Sequence, residues 1–91
     1  MTLSSAEAAS TVARLIRSDM LTPVETNDFG LWLDRNYNQY DLLSSGEQVL
    51  FNAAWALWNG SRACALSDLT LIDAPNRAVV LDAVSRCWGA A

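Results

Sequence analysis

Four carboxylates, Glu25, Asp28, Asp34 and Asp41, are interleaved with Trp32, Tyr37 and Tyr40 in one short stretch of this chain. Carboxylates at that density steer a basic partner by long-range attraction, and aromatic rings give it large anchoring surfaces. Glu25, Asp28, Trp32, Asp34, Tyr37, Tyr40 and Asp41 are therefore expected to form a docking surface for another protein with a basic face. Trp55 is added as an eighth candidate, because its indole N–H borders a stripe of Gln48, Asn52 and Asn59.

Other chemistry is narrowed by what the chain lacks. It has no histidine and no lysine; its six basic residues are all arginine. Without imidazole there is no Ser-His or Cys-His nucleophile pair and no histidine metal ligand. Without lysine there is no Schiff base and no Walker-type phosphate lysine. Carboxylates alone can do acid–base work, but 91 residues must also build the substrate cleft. The protein is expected not to be an enzyme, and no cofactor is expected.

Cys64 and Cys87 form no CxxC pair and read as small buried hydrophobes. Asp68 and Asp73 lack the glycine and the terminal glutamate of a calcium loop, so no metal site is expected. A second reading rests on Arg62, Asn76 and Arg77. A helix N-terminus with guanidinium groups nearby can hold a phosphate, which would make a ligand- or nucleotide-sequestering helical oligomer.

Charge is uneven. Residues 19–47 carry six carboxylates against Arg35, a net of −5 within a chain of net −4. A pI near 4.4 and scattered arginines exclude ordinary contact with nucleic acid phosphates. The opening MTLSSAEAAS has neither a basic stretch nor an apolar run, and no segment approaches 18 apolar residues. Neither a signal peptide nor a membrane span is expected, and a cytoplasmic location is the default.

The elements that must position these residues read as helical throughout. With 52% hydrophobic and 18% charged residues, the chain is expected to fold as a single domain over 1–91. Ser4-Ser5-Ala6-Glu7 and Ser44-Ser45-Gly46-Glu47 fit capping boxes, in which Ser and Glu satisfy each other's backbone amides. Thr22-Pro23-Val24-Glu25 fits the same start signal with Pro at the first helical position. Asp73 precedes a fourth start. The expectation is an all-α compact bundle of four main helices, about 5–19, 23–38, 45–59 and 74–88, plus a short helical turn near 67–72.

The third helix contains LFNAAWALWNG, residues 50–60. On a helical wheel it has one narrow polar stripe, so Phe51, Trp55 and Trp58 are expected to be mainly core and the helix central, with Trp55 as an exposed anchor the alternative. Low charge together with many large apolar residues is compatible with a homodimer, with Tyr37, Tyr40, Trp55 or Trp88 at its seam. Together these features point to a small protein–protein interaction module that regulates or inhibits a partner. A phage or mobile-element inhibitor of a nucleic-acid-handling complex is one class that fits.

Overall fold

A computed structural model describes residues 2–19, 21–24, 28–60 and 64–88. The chain forms four α-helices, α1 (Ser5–Ala13), α2 (Phe29–Asn36), α3 (Ser45–Asn59) and α4 (Ala74–Trp88). Two 3-10 segments, Tyr37–Leu42 and Leu66–Leu71, precede α3 and α4. No strand forms among the described residues. The protein is all-α, as the sequence predicts.

α3 is the axis of the bundle. Its capping box forms as read: Ser44 Oγ accepts from Glu47 N, and Glu47 Oε1 accepts from Ser44 N. Gly60 ends it at φ 72°, a left-handed position that favours glycine. α1 lies along α3, with Ala8, Ala9, Val12 and Ala13 buried between them and their neighbours. Small side chains let the backbones approach closely. Beyond α1, Leu3 N donates to the Arg86 carbonyl at 3.1 Å and pins the last turn of α4.

Two predicted helices are shorter than expected. The first stops at Ala13 instead of residue 19. Leu15 N and Ile16 N reach back only three residues, to the Val12 and Ala13 carbonyls, so the chain tightens into turns. The second begins at Phe29 instead of 23, with Asp28 as its N-cap. Thr22 starts no helix at Pro23; its polar groups are taken by α2 instead. Its N–H donates to Asn36 Oδ1, its Oγ1 accepts from Asn36 Nδ2, and its carbonyl accepts from Trp32 Nε1. Tertiary pairing has overridden the local start signal. The same Asn36 ends α2: its amide turns inward, and residues 37–42 continue as 3-10 helix.

Rings join α2 to α3. Trp32 and Phe51 lie 5.5 Å apart, Phe29 and Trp58 5.7 Å, and Phe51 also meets Tyr40 and Trp55 edge-on. Each such pair adds about 0.5–1.5 kcal/mol beyond its buried area. Gly30 fits this contact. A Cβ there would sit 3.0 Å from the Trp58 ring, so the roughly 1 kcal/mol that glycine costs a helix allows α2 to lie against Trp58.

Candidate functional site

α2 and the 3-10 segment after it present one continuous outer face. Leu31, Asp34, Arg35, Asn38, Asp41 and Leu42 recur at helical spacing and are all exposed, with Tyr37 beside them. The inward residues hold the face in place. Trp32 is only 5% exposed, and its indole donates to the Thr22 carbonyl at 2.7 Å. Asn36 is buried and spends its side chain on Thr22 and the Trp32 carbonyl. The 3-10 segment is tied down by α3: Gln48 Nε2 donates to the Tyr40 carbonyl at 3.0 Å, and Asn52 Nδ2 to Tyr40 Oη at 2.8 Å.

The sequence-predicted docking residues are therefore divided between surface and interior. Asp28 is exposed and works as the α2 N-cap, its Oδ1 accepting from Leu31 N. Asp34 and Asp41 are exposed, and neither has a cation within ion-pair distance among the described residues. Tyr37, at 52% exposure, is the aromatic residue that does face outward here. Trp32 is withdrawn into the core, Tyr40 is half-buried with its hydroxyl engaged, and Trp55 is half-buried against Phe51. Glu25 lies outside the described residues.

Sequence reasoning missed the apolar anchors of this face, Leu31 and Leu42, the latter 63% exposed. Their signal was their helical spacing with Asp34 and Asp41. The polar stripe of α3, which made Trp55 a candidate, is the stripe that binds Tyr40.

Two residues of the ligand reading make contacts within the chain. Asn76 N donates to Asp73 Oδ1 at 3.0 Å, and Arg77 Nη2 to the Ile72 carbonyl at 3.4 Å. Both help start α4. Arg62 lies outside the described residues.

Among the described residues no group of three His, Cys, Asp or Glu comes together in a way that could hold a metal ion. Cys64 and Cys87 are free thiols, both half-buried; burial, then the nearby Asp68 carboxylate, pushes the Cys64 thiol above its ordinary range. That shift leaves less thiolate and so less nucleophile. No helix among the described residues is long and apolar enough to cross a membrane. No protein-family model, curated protein or solved structure matches the chain.

Proposed function

We propose that the protein is a non-enzymatic interaction module that acts by covering a basic surface of another protein. The docking face is the outer side of α2 and the 3-10 segment Tyr37–Leu42. One observation carries the reading. Exposed carboxylates at Asp34 and Asp41 are interspersed with the exposed apolar side chains Leu31, Tyr37 and Leu42, on a backbone fixed from beneath. The carboxylates steer the encounter, and the apolar groups supply contact area that excludes water. A backbone already held in place loses little freedom on binding.

A basic surface on a protein is commonly one that receives phosphates. A module that covers it acts as an inhibitor or regulator of a nucleic-acid-handling partner without touching nucleic acid itself.

The test is affinity capture from the native host with the parent protein and an Asp34→Arg/Asp41→Arg double variant. Asp28 is left alone because it caps α2. Capture of a partner that weakens with salt and is lost in the variant supports the reading. A partner retained equally by both proteins, at every salt concentration, overturns it.

A further inference from the structure

The docking face has a spacing that narrows the kind of basic partner it fits. Asp34, in the last turn of α2, and Asp41, in the 3-10 segment, are both exposed. Three α-helical steps and four 3-10 steps separate them, roughly 12 Å along the axis and about 60° around it. Counted the same way, Asn38 falls between the two carboxylates, Tyr37 on one flank, and Leu31 with Arg35 on the other. All four are exposed.

Resting on the reading of this surface as a docking face, we infer that its occupant is a single amphipathic helix of the partner. That helix carries two cationic side chains about seven or eight residues apart on the side that meets Asp34 and Asp41. Positions seven and eight apart lie on one side of an α-helix. They are separated by roughly 10–12 Å of rise, which matches the two carboxylates. The 60° offset sets the two axes at a moderate angle, as packed helices commonly cross.

An extended segment could span the same distance with cations about four residues apart. It has nothing to pair with on this surface. The wall of a helix keeps its N–H and C=O groups bonded within itself, and strand addition needs an open sheet edge. No strand forms among the described residues. An extended chain laid here would lose water from its backbone without gaining partners, whereas a helix arrives with its backbone already satisfied.

Arg35 argues against a partner that is basic all round. It adjoins Asp34 and puts an exposed cation on one flank of the face. A run of consecutive arginines would set some of them against it, and like charges across an interface are costly. A helix with its cations in one line, apolar residues towards Tyr37 and Leu31, and no cation towards Arg35 avoids that contact.

Selection from a displayed library of random peptides of about 16 residues tests it, a length that holds two such cations with a turn on either side. Binders are expected to carry Arg or Lys at i and i+7 or i+8, with apolar residues at helical spacing between them. Made as a synthetic peptide, such a binder is expected to lose about tenfold or more in affinity towards Asp34→Arg/Asp41→Arg. Moving its second cation to i+4, at the same composition, is expected to cost as much. An arginine added on the flank that meets Arg35 is expected to weaken binding to the parent protein, and Arg35→Ala to restore it. Binders with cations in a run or at i+4, still lost in the double variant, overturn the helical occupant and leave the docking face standing. A selection without binders that depend on Asp34 and Asp41 overturns the inference as well, while capture of a partner from the host decides the docking face separately.

Discussion

α2 and α4 each join a 3-10 segment, and each exposes large apolar side chains, yet they are held in different ways. α2 is eight residues long and fixes itself inward with two buried rings, a buried amide and the Thr22 backbone. α4 is nearly twice as long, but only Val80 and Ala83 are fully buried. What α2 exposes is acidic and mixed, over a rigid base. What α4 exposes is nearly neutral and apolar, over a light one. A well-anchored helix can present charge without needing a cover. A weakly anchored helix with exposed Leu81 and Trp88 gains more from being covered, because burying such a side chain is worth about 1.5–3 kcal/mol.

The sharpest way to break this contrast is from beneath. Phe51 is fully buried and touches the rings of Trp32, Tyr40 and Trp55. Phe51→Ala is expected to cost about 3–5 kcal/mol in urea unfolding, the range for a large buried aromatic that leaves a cavity. Against a total of about 5–15 kcal/mol, that threatens the whole fold. A cost under about 1 kcal/mol would mean that the ring ladder does not hold α2.

A smaller effect is expected at Asn36. Asn36→Ala takes away the partner of the Thr22 N–H and Oγ1 in a part-buried setting, and a buried bond to the Trp32 carbonyl. The expected loss is about 2 kcal/mol, the penalty for stranded polar groups. It should appear as faster amide exchange at Thr22 and along α2, with α4 protection unchanged. Equal loosening of both helices would show that they share one anchoring system. The outer faces should respond differently again. Asp34→Arg/Asp41→Arg and Trp88→Ala each alter exposed positions, and each is expected to change monomer stability by less than about 0.5 kcal/mol.

The same contrast explains what the sequence made legible. α3 could be read to the residue because its start and stop are local: Ser44 and Glu47 satisfy each other, and Gly60 supplies the left-handed turn. The α4 bounds followed likewise from Asp73 and the helix-starting proline. α2 could not be read that way, because its start depends on Asn36 and Trp32 taking Thr22 across 14 and 10 residues. No window of local pattern contains that exchange. The docking face was half legible for a related reason. Charge at Asp34 and Asp41 is a property of the residue type, but whether Trp32 or Leu31 faces outward depends on where α2 begins and on the rings of α3.

The smallest effect concerns the support of α4 and acts through acid. Glu7 Oε1 accepts from Ser4 N at 3.1 Å, and Ser4 Oγ accepts from Glu7 N. The Ser4 backbone bond, with the Ser4 hydroxyl second, holds the Glu7 carboxyl below its ordinary range. A depressed folded-state pKa means that this contribution is complete above the unfolded value of about 4.3 and is lost as pH falls through the folded one. The neighbouring Leu3 N bonds the Arg86 carbonyl, so loosening the box frees the end of α4 before it disturbs α2. Protection factors for the last turn of α4 are therefore expected to fall between about pH 5 and pH 3, while those of α2 hold. Glu7→Gln keeps an acceptor for Ser4 N but does not titrate, and it should flatten the α4 response in that window. If α4 loses protection equally in parent and variant, its acid sensitivity arises from other carboxylates, and the Ser4–Glu7 box is not what steadies that end of the helix.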